Sequence, residues 1–227
     1  VEVAIGASFG GARSFAAMKH VGLNVAADPL FTASYTGVNG GLVIAVADDP
    51  GMHSSQNEQD SRHYAMGAKV MMLEPADSAE CLDYAKRAFE LSEKFDTPVI
   101  IRETTRVAHS RSTAELSERV DNGLKEYTKN PAKYVMVPAN AKVKHVKVEQ
   151  RILDQIAYCE EGAEGLNTIE YNSKKIGVIT SGICYQYAKE ALGENASYLK
   201  LGCVYPLPVD MIKKFADECE KVYVIEE

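Results

Sequence analysis

The chain has 227 residues, 46% of them apolar, and a formal net charge of −7. That length suits one large domain or two small ones, with enough apolar material for a proper core. The charge argues against a nucleic-acid or anionic-membrane surface, and the longest apolar runs are too short to cross a bilayer. The opening residues do not read as a signal peptide. Five scattered cysteines, Cys81, Cys159, Cys184, Cys203 and Cys219, form no CxxC pair. They read as free buried thiols of a reducing cytoplasm rather than a zinc or iron–sulfur set. Asn195 heads a glycosylation sequon on paper only.

Both ends look cut. "VEVAIGAS" starts inside an apolar helical pattern with no N-cap residue before it, and "KVYVIEE" stops on a strand. The expectation is a piece of a longer polypeptide. Residues 1–12 have helical spacing, with Gly6 and Gly10 four apart so that a neighbouring element can approach. "RSFAAMK" reads as a short strand. "LNVAADPLFTASY" reads as a helix interrupted near Pro29, because proline disfavours αR in the residue before it. After a glycine turn at 37–41, "LVIAVA" suits a parallel strand covered on both faces. The polar run Asp48–Ala65 follows as a loop, then "KVMMLEP" as a strand. Asp77 and Ser78 cap the helix "AECLDYAKRAFELSEKF", whose expected buried stripe is Leu82, Ala85, Phe89 and Leu91. "VIIRET" is the next strand.

Residues 110–173 are charged, lysine-rich and weakly periodic, as expected of a surface connector with one helix in "EQRILDQIAYCEEG". From Lys174 the alternation resumes. "KIGVITSG", "ASYLKLGCVYP" and "KVYVIEE" read as strands. "CYQYAKEALGE" and "PVDMIKKFADEC" read as helices, the second with Pro208 in its first turn. Alternating strands and helices imply an α/β layer fold with mostly parallel sheets.

The densest chemistry is "DDPGMHSSQNEQDSRHYA", just past the carboxyl end of a buried strand, where open α/β sheets bind ligands. It is either a functional loop or a solvated one. Asp48, Asp49, His53, Asp60 and His63 lack a recognised metal spacing. "HSS" lacks the elbow of a serine hydrolase. An anionic small substrate is the more natural ligand: Arg62 can pair with a carboxylate, and His53, Ser54 and Ser55 can donate to a carbonyl. Lys19 and His20 end a strand at the same edge, and Lys19 is either a charge for that pocket or a solvated lysine. Thr104, Arg106 and His109 follow another strand on the same rim. "GASFGGARS" has no phosphate-loop pattern and is better explained by close packing. Ser181-Gly182 could present helix N-terminal amides to an anion or be a plain turn.

The stretches "MKHVGLNVAADPLFTASYTGVNGGLVIAVADDPGMHSSQNEQDSRHYA" and "LEPADSAECLDYAKRAFELSEKFDTPVIIRETTRVAHS" resemble the alpha subunits of indolepyruvate:ferredoxin oxidoreductases. These belong to the thiamine-diphosphate-dependent 2-oxoacid:ferredoxin oxidoreductase family. The likeness weakens over 112–173 and returns in "KIGVITSGICYQYAKEAL", "LKLGCVYPLP" and "VYVIEE".

The resemblance implies two α/β domains, each a mostly parallel sheet flanked by helices. Residues 1–112 would be a pyrimidine-binding-type domain, 113–173 a linker with a connecting helix, and 174–227 a transketolase C-terminal-like domain. It implies oxidative decarboxylation of aryl 2-oxoacids to acyl-CoA, with electrons passed to ferredoxin. Thiamine diphosphate with magnesium and iron–sulfur clusters would serve the full enzyme. Its partners would be a beta subunit, ferredoxin, coenzyme A and the oxoacid, in a cytoplasmic oligomer. The carried-over site is the polar loop. Lys19, His53, Ser54, Ser55 and Arg62 would face substrate, with His53 and Ser54 at the carbonyl and Arg62 at the carboxylate. Asp49, Gln56 and Glu58 would face cofactor. The glutamate that activates the cofactor is expected upstream of Val1, and Glu2 does not match it, so this stretch alone is expected to be inactive. The alternative is a standalone assembly subunit that completes a thiamine-diphosphate site on a partner chain.

Overall fold

A computed structural model describes residues 1–227. The first half runs α1 (Glu2–Phe9), β1 (Ser14–Lys19), α2 (His20–Val25), α3 (Ala27–Thr36), β2 (Leu42–Asp48), α4 (Ser61–Ala68), β3 (Met72–Leu73), α5 (Ser78–Phe95), β4 (Val99–Thr104) and α6 (Thr105–His109). The second half runs α7 (Pro131–Tyr134), α8 (Pro138–Glu160), β5 (Asn167–Glu170), β6 (Gly177–Ser181), α9 (Gly182–Leu192), β7 (Ser197–Leu201), β8 (Cys203–Tyr205), α10 (Val209–Asp217) and β9 (Val222–Ile225).

Two sheets result, in the orders β1-β2-β4-β3-β8 and β5-β7-β6-β9. Pairing is parallel except for β3 with β8 and β5 with β7. The mostly parallel α/β architecture read from the alternation is therefore present. Successive residues of β2 and β4 enter opposite cores. Ile44, Val46 and Ile100 face one cluster, and Val43, Val99 and Ile101 face the other. That is the physical content of the unbroken apolar runs: both faces of the sheet are covered. The first cluster also takes in Ile179, Leu199, Val204 and Phe215, so one continuous core joins the two sheets.

Several boundaries differ from expectation. The helix break falls at Ala26, and Pro29 lies inside the first turn of α3, where its missing N–H costs no hydrogen bond. "KVMMLEP" pairs over Met72–Leu73 only. The second part of the polar run is α4, capped by the Asp60 side chain on the Arg62 N–H. The buried face of α5 is Tyr84, Ala88, Leu91 and Ser92; Leu82, Ala85 and Phe89 stand at its margin. The connector's helix is α8, 23 residues long, which touches both α3 and α10. "ASYLKLGCVYP" divides at Gly202: β7 stays in the second sheet and β8 crosses to edge the first. The second sheet begins at Asn167, ahead of Lys174, and Pro208 is the N-cap of α10. No helix is long and apolar enough to cross a membrane.

Close approach does occur near the first glycines, though not at Gly6, around which a Cβ would meet nothing. It occurs at Gly40, where a Cβ would lie 2.3 Å from the Ala12 carbonyl oxygen. Gly40 also donates to Ser8 O at 2.9 Å and accepts from Ser8 Oγ at 2.5 Å, which locks α1 to the turn before β2. The substitution Gly40→Ala must displace backbone. It is expected to cost about 1–3 kcal/mol, read as a lower denaturant midpoint with an unchanged slope.

Candidate functional site

Parallel register brings the carboxyl ends of β1, β2 and β4 to one edge. Lys19 stands beside Ala47, and Asp48 beside Thr104. Beneath this edge lies a buried charge cluster. The Arg102 Nε donates to Asp48 Oδ2 at 2.7 Å, and its NH1 to Glu74 Oε2 at 2.8 Å. The three side chains are 1–3% exposed. Burial opposes the Arg102 charge, but Glu74 and Asp48 outweigh it and hold its pKa above the ordinary value. Asp48 also accepts from the Ser61 N–H at 3.0 Å and from the Ser61 hydroxyl, so it anchors the start of α4. Glu74 accepts from Ser181 Oγ at 3.0 Å, across to the second sheet. A carboxylate therefore faces Ser181-Gly182, which makes that turn a junction between the sheets and not an anion site.

Asp49 organises the loop above. It is buried and accepts from His53 N (3.1 Å), Ser54 N (2.8 Å), Ser55 Oγ (2.6 Å) and Thr105 Oγ1 (2.7 Å). Hydrogen bonds from Ser55, Ser54 and Thr105 hold its carboxyl well below the usual carboxylate range. Lys19 Nζ lies 3.9 Å from Asp49 and 3.3 Å from both the carbonyl and the hydroxyl oxygen of Ser54. Lys19, Asp49, Ser54 and Ser55 thus converge, joined by the His53 backbone amide. The side chains of His53, Ser54 and Gln56 are exposed. Glu58 folds back to accept from the Gly51 N–H at 2.6 Å, where Gly51 and Met52 take positive φ.

Arg62 departs from expectation. Its Nε and NH2 pair with Asp60 at 2.9 Å, and its NH1 with Glu226 at 2.5 Å. Burial opposes its charge, but these partners raise its pKa above the ordinary value. The guanidinium is committed to the protein's own carboxylates and ties the loop's exit to the strand end of the second sheet. Arg106 and His109 are exposed on α6. His20 is fully buried, and both its ring nitrogens lack a partner, as does Thr104 Oγ1. Sequence reading placed Asp49 among cofactor contacts, weighed Asp48 only as a metal ligand, and passed over Glu74 and Thr105. The paired acids "DD" at a strand end were the available signal for such a hub.

These features define a class: an α/β protein with a polar ligand edge at the carboxyl ends of a parallel sheet. The family model for pyruvate flavodoxin/ferredoxin oxidoreductase, thiamine diphosphate-binding, matches residues 1–173, and the chain belongs to that family. The indolepyruvate oxidoreductase subunit IorA of Archaeoglobus fulgidus is 44% identical over 232 residues, covering 100% of this chain and 37% of that protein. The chain thus spans little more than a third of the length of the curated relatives it matches. Among solved structures, the 2-oxoglutarate:ferredoxin oxidoreductase from Magnetococcus marinus, with 2-oxoglutarate, coenzyme A and succinyl-CoA bound, shares the fold. Its TM-score is 0.68 at 16% identity, over 98% of this chain and 47% of that one. A split-gene transketolase, an inactive beta4 tetramer, gives 0.52 at 17% identity, over 100% of this chain and 61% of that one.

Unmet hydrogen-bonding capacity at His20 and Thr104 fits a polar group seated at this edge. No group of three or more His, Cys, Asp or Glu side chains is placed to hold a metal ion. Glu2 is exposed and makes no side-chain hydrogen bond.

Two outcomes follow. Arg102→Met leaves two buried carboxylates unpaired, and is expected to cost about 3–5 kcal/mol in equilibrium unfolding. The depressed Asp49 pKa means its contribution is complete above the unfolded carboxylate range near pH ~4 and is lost as pH falls through the lower folded value. Hydrogen exchange at the His53 and Ser54 amides, taken relative to the intrinsic rate at each pH, is expected to stay slow at neutral pH and to speed up only in strong acid. In Asp49→Asn it should be fast already at neutral pH.

Proposed function

We propose that this chain is part of the alpha subunit of an aryl 2-oxoacid:ferredoxin oxidoreductase of the indolepyruvate type, and that the Lys19–Asp49–Ser54 edge is the substrate-facing wall of its site. The observation that carries this reading is the one cation held over the loop by a neutral contact and only a distant carboxylate. Lys19 keeps donor capacity and its charge for an incoming carboxylate. Arg62 has neither to spare. Similarity to indolepyruvate oxidoreductase subunits across the whole chain supports the substrate class.

Thiamine diphosphate, with magnesium, would supply the electron sink for decarboxylation. His20 and Thr104 would meet its polar atoms, with Gln56 at the exposed side. The residues of this chain bind and orient. Lys19 draws the oxoacid carboxylate to the strand edge, the Ser54 hydroxyl lies beside it for the keto oxygen, and the exposed His53 ring would turn in as a second donor. Asp49 holds the amides of 53 and 54 so that both side chains face outward. Coenzyme A, ferredoxin, a beta subunit and iron–sulfur clusters belong to the complete enzyme. The fold division would be a pyrimidine-type domain over 1–112 and a transketolase C-terminal-like domain from 174.

Steady-state kinetics of the complete enzyme test the assignment. Lys19→Met removes a charge-assisted hydrogen bond of about 1.5–3 kcal/mol, so KM for the aryl 2-oxoacid should rise roughly 10- to 100-fold, with a smaller change in kcat. Arg62→Ala should lower thermal stability and leave KM near its starting value. A KM that responds to Arg62 and not to Lys19 would reverse the roles.

A further inference from the structure

The stretch 125–151 carries seven Lys or Arg and two Glu in a chain whose overall charge is −7. Two of these cations, Lys144 and Arg151, lie on the inward side of α8. A helix turns 100° per residue, so Lys144, Val148, Arg151 and Gln155 share one face, with Lys147 at its margin. Val148 and Gln155 are buried and Arg151 largely so, which fixes this face as the one packed toward α3 and the end of α5.

The cations there are not neutralised. Arg151 donates to Ser34 Oγ at 2.8 Å and to the Asp96 carbonyl oxygen at 3.3 Å, both uncharged acceptors. Its Nε is buried with no partner, and no carboxylate lies within ion-pair distance of it. Burial alone pulls its pKa down to about 10, against the smaller opposing pull of Asp96. Lys144 is half-buried and pairs with no acid. Its pKa is lowered by burial and by the charges of Lys133, Lys147 and Arg151. Asp96 is the acid of the neighbourhood, and its Oδ1 is already shared by the Val38 N–H at 2.9 Å and Lys133 Nζ at 2.9 Å. One turn beyond Arg151, both amide atoms of Gln155 are buried without partners. Four cations thus face one committed carboxylate, beside unused neutral donors. A buried guanidinium without a counter-charge is costly, and an oxyanion would remove that cost.

We propose that the junction of α3, the end of α5 and α8 binds a phosphate-class oxyanion, held by Arg151 and Lys144 with Lys147 at the rim. Arg151 offers Nε and a second N–H in the fork that matches two oxygens of such a group. Gln155 adds a neutral donor. Asp96 stays with Lys133 and Val38, and the surplus of positive charge disfavours a cation there. The site lies on the connecting helix and uses no residue of the Lys19–Asp49 edge, so it stands or falls independently of the substrate reading.

The test is calorimetric titration of the full-length protein with inorganic phosphate and with pyrophosphate. Saturating thiamine diphosphate is present throughout, and chloride is adjusted to constant ionic strength. Saturable binding is expected, weakened at least about tenfold in the Lys144→Gln/Lys147→Gln double variant, with thermal stability and oxoacid KM unchanged. Arg151→Gln should abolish binding; because it also removes the contacts to Ser34 and Asp96, the lysine pair is the decisive variant. Tighter binding of pyrophosphate than phosphate would identify a nucleotide-like source, and equal binding a free phosphate. Absence of saturable binding, equal affinity in the double variant, or a response that follows ionic strength alone would each overturn the proposal.

Discussion

The pairing of Arg102 with Asp48 and Glu74 is the constraint on which the rest of this molecule depends. A guanidinium this deep is tolerable only because two carboxylates meet it at hydrogen-bond distance. Each partner then has a second duty. Asp48 holds Ser61 and so begins α4, while Glu74 reaches Ser181 at the edge of the second sheet. The ligand edge, the polar loop and the junction of the sheets are thereby referred to one point. β8, crossing to pair with β3, and the shared apolar cluster add the non-directional part of that junction.

Adjacent acids divide the work between structure and chemistry. Asp48 points inward to Arg102, and Asp49 points to the loop, a consequence of successive residues at a strand end facing opposite ways. Asp49 has its lone pairs taken by two amides and two hydroxyls, which gives the loop one shape while leaving the Ser54, His53 and Gln56 side chains outward. Lys19 completes the arrangement from the neighbouring strand. The result is a preorganised polar rim whose free charge is positive, which on the reading we propose would receive a small carboxylate beside the cofactor.

Much of the framework was legible because it is local. The runs "LVIAVA", "VIIRET" and "GVIT" read as strands, the first covered on both faces, and the carboxyl ends of "RSFAAMK" and "LVIAVA" pointed to Lys19 and the polar run. What escaped was non-local or masked. α4 buries Ser61, Ala65 and Ala68, residues too small or polar to make a hydrophobic stripe, although Asp60 was an N-cap signal. α8 shows Val143, Val146 and Leu153 to solvent and turns Lys144 and Arg151 inward, which inverts the pattern that periodicity relies on. Arg62 and Arg102 look alike in sequence. Only the fold shows that distant acids, Glu226 for one and Glu74 for the other, have already claimed them.

The central claim is that the oxoacid carboxylate is received at Lys19 on the carboxyl edge of the first sheet. The most direct measurement is difference electron density for the complete enzyme crystallised with thiamine diphosphate and an unreactive aryl 2-oxoacid analogue. The account predicts the carboxylate within hydrogen-bond distance of Lys19 Nζ and the Ser54 hydroxyl, with the Arg62 pairs to Asp60 and Glu226 intact. A carboxylate bound at Arg62 with those pairs broken, or seated away from this edge, would contradict it.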